Sequence, residues 1–505
     1  MWLLLLPVLL LTLLFLVINK IKAKNENKPQ LPPSPPKLPI IGNLHQLGSL
    51  PHQSLWKLSK SYGHVMGLHF GTVPAIVVSS AEAAKEVLKT NDLACCNRPS
   101  LTGSGKLSYN NLDITFSPYG EHWRQIRRLC VLKLFSSKSV QSFQFIRDGE
   151  IDSLNDFLNE SSVLATPVNL SVMMSTLMAS MTFRTAFGKR FAECGLESDV
   201  FEEMIHRAMS VLGTFAACDL FPHLGWIIDR LTGVHAKFER SFRELDNFFQ
   251  IVIAEHLNRT PEEGKEDLVD LLLSIERGEY DSTEVHFTRD CTKAIIMDIF
   301  VAGVDTAALT VTWAMAELAR NPRVMKKVQD EIRSCLKKSK VTESDIHQLQ
   351  YLKMVVKETL RLHPAAPLLL PRECISQFKV GGYEVYPKTF IHVNVWAIGR
   401  DPNYWYNPEE FFPERFADSS IDFKGQHFEY LPFGAGRRGC PGMIMALTMV
   451  ELTLANLLCC FDWKLSAGMK ETDIDMEEAS GITTFKKSAL KLVPVSYQWP
   501  SKLQT

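Results

Sequence analysis

The sequence lacks an excess of either charge: Lys and Arg total 55, Asp and Glu 56, for a net charge of −1. That balance leaves no electrostatic footprint for nucleic acid, and with 46% hydrophobic residues it also excludes an acidic disordered chain. No C-x-x-C pair or Cys/His zinc spacing occurs, and the 11 cysteines are odd in number. Neither a disulfide framework nor a zinc module is indicated. Most of the thiols are expected as small core residues of a reduced, cytosol-facing chain. No dinucleotide fingerprint or flavin-binding element is present, so a reaction needing reducing electrons must take them from a partner. Repeats, low-complexity segments and a second long linker are also missing, which leaves one large domain.

What is present starts with an unbroken apolar run, MWLLLLPVLLLTLLFLVI, followed by Asn19, Lys20, Lys22 and Lys24. About 18 apolar residues just span a bilayer as a helix. The positive charge follows the run and no small-residue cleavage site appears, so residues 1–19 read as a retained anchor. The lysines place the rest of the chain in the cytosol, where the sequons at Asn159, Asn169 and Asn258 go unglycosylated. Residues 20–45, ending in LPPSPPKLPIIGN, form a tether and stiff proline-rich hinge. Residues 46–505 form the catalytic domain. Periodicity predicts helices near 120–160, 170–188, 198–218, 234–258, 284–320 and 322–337. Short strands are expected in GHVMGLHFGTVPAIVVSS and near Tyr383–Val395. The fold class is mainly α with small β-sheets.

Four motifs carry the chemistry. In PFGAGRRGCPG, one thiol, Cys440, stands in bare backbone where a loop feeds the helical CPGMIMALTMVELTLANLLCC. A helix start stabilises a thiolate, and Gly434, Gly436 and Gly442 remove side chains that would block a flat ligand. IFVAGVDTAALTVTWA is helical, with Ala302 and Thr306 on one face and Asp305 beside them; Gly303 would let that helix loosen. Taken alone, Asp305 and Thr306 could be a solvated acid–hydroxyl pair. In KETLRLHP, Glu358 and Arg361 are spaced for an ion pair, and FFPERF supplies Arg415. In EHWRQIRRLC, Trp123 and Arg127 lie within about 40° of each other on a helix.

Phe433, Gly436, Arg438, Cys440 and Gly442 match the haem-thiolate signature, so the chain resembles the cytochrome P-450 superfamily. The anchor, the hinge, A-G-V-D-T and the cysteine loop resemble its plant microsomal A-type branch most. The resemblance implies a P-450 fold with an N-terminal transmembrane helix and haem b ligated by Cys440. Phe433 would pack near the sulfur, and Arg438, Trp123, Arg127 and Arg372 would meet the propionates. Asp305 and Thr306 would deliver protons for dioxygen cleavage. Glu358, Arg361 and Arg415 would form a structural charge network, with His363 also structural. Pocket residues, by matching regions, are Tyr109, Asn110 and Phe116; Thr214, Phe215 and Ala217; Phe300, Val301 and Ala302; Ala366, Leu368 and Leu369; and Ile482, Thr483 and Thr484. Core packing competes as an explanation for each of these.

The implied activity is NADPH- and O2-dependent monooxygenation of a lipophilic small molecule at the endoplasmic reticulum membrane, in specialised metabolism. The implied electron donor is NADPH-cytochrome P-450 reductase, with cytochrome b5 a further candidate. A basic patch of Arg124, Arg128, Lys133 and Lys138 suits an acidic donor. The alternatives are a reductase-independent isomerase or dehydratase and a non-catalytic haem-binding protein.

Overall fold

The computed structural model describes residues 30–194, 198–259, 266–279, 287–479 and 481–499. The anchor at 1–19 and part of the tether lie outside these. The longer helices are α1 (Pro51–Tyr62), α2 (Glu121–Lys133), α3 (Gln144–Val163), α4 (Leu170–Phe187), α5 (Ser198–Leu212), α6 (Val234–Leu257), α7 (Leu268–Glu276), α8 (Arg289–Arg320), α9 (Pro322–Leu336), α10 (Gln350–Leu362) and α11 (Met443–Cys460). The strands are β1 (Val65–Phe70), β2 (Val73–Val78), β3 (Val168–Asn169), β4 (Arg372–Glu373), β5 (Phe378–Val380), β6 (Tyr383–Val385), β7 (Phe390–Val393), β8 (Phe461–Lys464) and β9 (Lys491–Ser496). One sheet has the order β1-β2-β7-β4, a second β3-β9-β8, and β5 pairs with β6. The pair β2–β7 is parallel, with Ala75 opposite Phe390. The expected helix over 120–160 is broken between α2 and α3 by a short turn of helix at Ser137–Ser142, where Ser136 caps Ser139 N–H. Strands β8 and β9, short and half-buried, give too weak an alternation to be seen in the sequence.

Helix α8 is the spine. Thr288 accepts the Cys291 N–H at its start, and Pro322 opens α9 immediately after it stops. Most of α8 is buried, because its two halves serve different cores. The C-terminal half, with Val311 and Trp313, packs among α9, α10 and α11; the N-terminal half sets Phe300 among Phe183, Phe187, Phe201, Phe248 and Phe249. The expected loosening at Gly303 does not occur. The helix is continuous there, and a Cβ at Gly303 would make only ordinary contact, 3.5 Å, with Thr182 Cγ2 on α4.

Between α10 and the segment 399–415 lies a buried charge cluster. Glu358, fully buried, takes Arg361 Nε at 2.7 Å and Nη2 at 2.8 Å, Arg415 Nε at 2.9 Å and the Phe412 N–H at 2.9 Å. Arg361 continues to the carbonyls of Gly399 and Pro408, both at 2.6 Å. Every charge is met by geometry set in two segments. Removing the carboxylate alone strands two buried guanidinium groups, so Glu358→Ala should cost about 3–5 kcal/mol. A fall in the denaturant midpoint at unchanged slope would measure it; a midpoint within error of wild type would reject it.

Candidate active site

The loop 432–442 is folded by its glycines, but not all for one reason. Gly434 and Gly436 adopt φ of 66° and 69°, where other residues are strained. A Cβ on Gly436 would meet Leu88 O at 2.3 Å and Asp92 Oδ1 at 2.8 Å. That glycine is therefore needed for packing against 86–92, not for a flat ligand. A Cβ on Gly434 would touch Leu369 Cδ1 at 3.5 Å, and one on Gly442 would meet nothing within 4 Å. Gly442 leaves open space beside the thiol. Cys440 N–H donates to Phe433 O at 2.9 Å, and Phe433 stands edge-on to Phe423.

Cys440 lies deep in the protein, yet its side chain is accessible. That combination marks the wall of an internal cavity. Burial raises the thiol's pKa, while the Gly442 N–H and Arg127 pull it down. The expected thiolate is thus favoured by the helix start but not imposed by it, and a metal would have to displace the proton.

On α8 a short strip opens in an otherwise buried helix: Ala302 is exposed, and Gly303 and Thr306 are half-buried. Thr306 Oγ1 donates to Ala302 O at 2.6 Å. Asp305 is buried with Oδ2 unpartnered. Burial pushes its carboxyl up to about 6, opposed by His206 and reinforced by Glu202, both on α5.

The third element is a crowd of arginines. Arg127 Nη2 reaches Gly439 O at 2.5 Å, and Arg438 reaches Cys96 O at 2.8 Å and Ser117 O at 2.6 Å, its guanidinium 4.1 Å from the Trp123 ring. Arg98, not singled out in the sequence, donates to Thr115, Leu370 and Pro371 carbonyls at 2.7–3.0 Å. Burial lowers the pKa of Arg98, Arg127 and Arg438, the last to about 10, and neighbouring arginines depress Arg98 and Arg438 further. Such a group is short of negative charge. An accessible thiol, open space beside it and cations lacking anions fit a haem with its two propionates.

Two residues expected at that edge already have protein partners. Trp123 has one N–H, and it is taken by Ile114 O at 2.9 Å, so only its ring faces the cations. Arg372, on β4, gives Nη1 to Asp92 at 2.7 Å and Nη2 to Ala435 O at 2.9 Å. It braces the cysteine loop. Asp92, also missed, holds Arg437 through the same carboxylate at 2.8 Å. A lone aspartate in a short helical turn carries no sequence signal of such a task.

Several expected pocket residues point elsewhere. Tyr109 donates to Asp246 at 2.7 Å, and Asn110 is exposed. Phe215 is 59% exposed, and Thr214 binds Ser210 O and Lys237 at the surface. Ala217 is fixed by Asp229 through its N–H. Phe300 belongs to the phenylalanine core, since it projects away from the Ala302 side of α8. Thr484 is spent on Pro364 O and Ala365 O. Phe116, Ala366, Leu368, Leu369 and Ile482 are half-buried and Val301 is buried. Thr483 Oγ1 is buried without a partner, and Leu369 sits against Gly434.

The profile of the family described as Cytochrome P450 matches residues 32–492. Cytochrome P450 71B36 of Arabidopsis thaliana is 54% identical over 495 residues, covering 97% of this chain and 99% of that protein. Cytochrome P450 71B34 of the same plant is also 54% identical, over 496 residues, with the same coverage. A zebra fish cytochrome P450 whose structure was solved with abiraterone superposes with a TM-score of 0.74 at 26% identity, covering 89% of this chain and 99% of that one. With fold, cavity and motifs in agreement over nearly the whole length, the chain belongs to the cytochrome P450 family of haem-thiolate monooxygenases.

Proposed function

We propose that this protein inserts one oxygen atom from O2 into a lipophilic small molecule of plant specialised metabolism, using NADPH electrons passed on by a separate reductase. The observation that carries the proposal is the deep, accessible thiol of Cys440 in one wall with buried, anion-deficient arginines. In this reading Cys440 would hold the haem iron through its sulfur. Arg127, Arg438 and Arg98 would hold the propionates, and Phe433 would shield the sulfur. Bound haem b supplies oxygen activation, which a thiolate ligand directs toward O–O cleavage.

The chain's own part is to move protons and exclude water. Thr306 holds its hydroxyl on Ala302 O, ready to be handed to a ligand above the strip. A carboxyl at about 6 exchanges protons near neutrality far more readily than an ordinary aspartate. Asp305 is fit to reload Thr306, with His206 and Glu202 beside it on the solvent side. The largely apolar lining, Val301, Ala302, Leu368, Leu369 and Ile482, supports a lipophilic substrate.

Arg128 and Lys138 are exposed near Val131 and Leu132 on the α2 side, which suits an acidic donor docking by charge and contact. At another face, Ile40 is 80% exposed, Leu231 83% and Trp226 52%. Gly71 N–H on Ile41 O and Thr72 N–H on Leu220 O tie the two apolar segments to one hairpin. That face supports an endoplasmic reticulum location, with residues 1–19 as a single-pass anchor and the 46–505 domain in the cytosol.

Co-expression with a plant reductase in microsomes, screened against a metabolite library, tests the reading. NADPH-dependent product is expected; product without reductase would favour the isomerase alternative. The reduced carbon-monoxide spectrum should show thiolate ligation, and Cys440→Ser should abolish it. Thr306→Ala should divert NADPH electrons into hydrogen peroxide, and Asp305→Asn should slow product formation about a hundredfold. Because the Asp305 proton is lost as pH rises through about 6, coupling should decline above that pH in wild type and be flat in Asp305→Asn. A chain lacking residues 1–29 should still float with liposomes, and Trp226→Asp with Leu231→Asp should release it; unchanged flotation would sink the membrane-facing assignment.

A further inference from the structure

Loop 109–117 runs between α8 and the arginine group, and its peptide groups face both ways. On the α8 side, Asp298 Oδ2 accepts the N–H of Ile114 at 2.8 Å and of Thr115 at 3.3 Å. Asp113 accepts the Phe116 N–H at 3.0 and 3.1 Å. On the other side, Ile114 O accepts Trp123 Nε1 at 2.9 Å, Thr115 O accepts Arg98 Nε at 3.0 Å and Ser117 O accepts Arg438 Nη2 at 2.6 Å. The loop is a bridge of aligned peptide dipoles, with carboxyls at its N–H face and cations at its C=O face.

The two carboxyls close on consecutive peptide N–H groups of one short stretch, Asp298 on Ile114 and Thr115 and Asp113 on Phe116. Two carboxylates so confined repel each other, and one shared proton removes that repulsion. Burial pushes both above the usual aspartate range, and the charge of Asp298 raises Asp113 further. The other groups facing the pair are Arg98 and Arg438 behind the loop, the Thr115 hydroxyl, and Cys130 on α2. A second clasp holds the start of the loop: Tyr109 Oη and Lys293 Nζ meet one oxygen of Asp246, at 2.7 and 2.6 Å. Between the clasps Tyr109, Asn110 and Asn111 have φ of 53°, 64° and 63°, a left-handed run that persists only when its surroundings over-determine it.

We propose that Asp113 and Asp298 hold one proton between them and act as positioning residues, clamping loop 114–117 so that its carbonyls set Trp123, Arg98 and Arg438 at the cofactor edge. The consequence for the cofactor rests on the reading of those arginines given above; the clasp itself does not.

Hydrogen–deuterium exchange of residues 109–119 in the haem-loaded full chain, corrected for intrinsic base catalysis, reads the clasp without turnover. The clamped loop binds a proton that two free aspartates would release. Opening should therefore become easier by about tenfold per pH unit, from the ordinary carboxyl range up to the raised value of the pair. Protection in wild type should fall accordingly from about pH 5 upward. In Asp298→Asn and Asp113→Asn an amide N–H replaces the shared proton, so the loop should stay protected and become insensitive to pH. Asp298→Ala should lose protection at every pH, and if it cannot be purified the two asparagine variants still decide. A flat wild-type profile, asparagine variants that keep the wild-type slope, or asparagine variants that cannot load haem would each overturn the proposal. None of these results depends on oxygenase activity, so they leave that reading standing or falling on its own tests.

Discussion

The cost of burying positive charge governs the heart of this molecule. Arg98, Arg127, Arg372 and Arg438 crowd the region of the cysteine loop, and Asp92 is the carboxylate that one of them, Arg372, directly holds. Isolated cations in such surroundings are costly unless dipoles or anions surround them. The chain meets that need with carbonyls: those of Cys96, Thr115, Ser117, Leu370, Pro371, Ala435 and Gly439 all turn toward guanidinium groups. A carbonyl turned one way sends its neighbouring N–H the other way. The placement of Asp113 and Asp298 behind the loop is thus a consequence of the same need, and the anion shortage that remains is what two propionates are suited to fill.

That arrangement explains why α8 must be long and continuous. Lys293, Asp298, Ala302, Asp305 and Thr306 follow one another along it, so a single rigid body carries the loop clasps and the open strip at Ala302 and Thr306. The same helix sets Phe300 and Trp313 in two different cores. Site and core share one ruler, and a shift of the helix would move Asp305, Thr306 and loop 109–117 together.

Much of this was legible in the sequence. The boundaries of α4, α6 and α9 follow from periodicity, whereas α8 begins at Arg289, behind its Thr288 cap, and not at the expected 284. Cys440, Thr306 and Glu358 stood out because their motifs fix spacing within one segment. What could not be read depends on contacts between segments. Asp92, Arg98, Asp113 and Asp298 are each ordinary in their own context and gain meaning only where 86–119, α8 and 436–439 meet. The misplaced residues fail for the matching reason. Trp123 and Tyr109 are amphipathic, and a spacing rule cannot say which neighbour takes the polar atom. Phe300 is one turn-fraction from the cavity, enough to send a ring into the core instead.

The pocket shows why fold and reaction class can be firm while the substrate stays free to vary. On the proposed reading its lining comes from Phe116 in a clamped loop, Val301 and Ala302 on a rigid helix, and Leu368, Leu369 and Ile482 in connections whose own backbone is bound elsewhere: Val393 N–H to Leu368 O, and Thr484 N–H to Ala365 O. The backbone that carries these side chains is thus fixed by other contacts. Exchanging Ile482 for another apolar residue alters cavity shape while leaving the arginine group, the clasps and the cysteine loop untouched. Chemistry is held by residues that many hydrogen bonds fix, and selectivity by residues that few do. Such a division lets one oxidising centre serve different carbon skeletons.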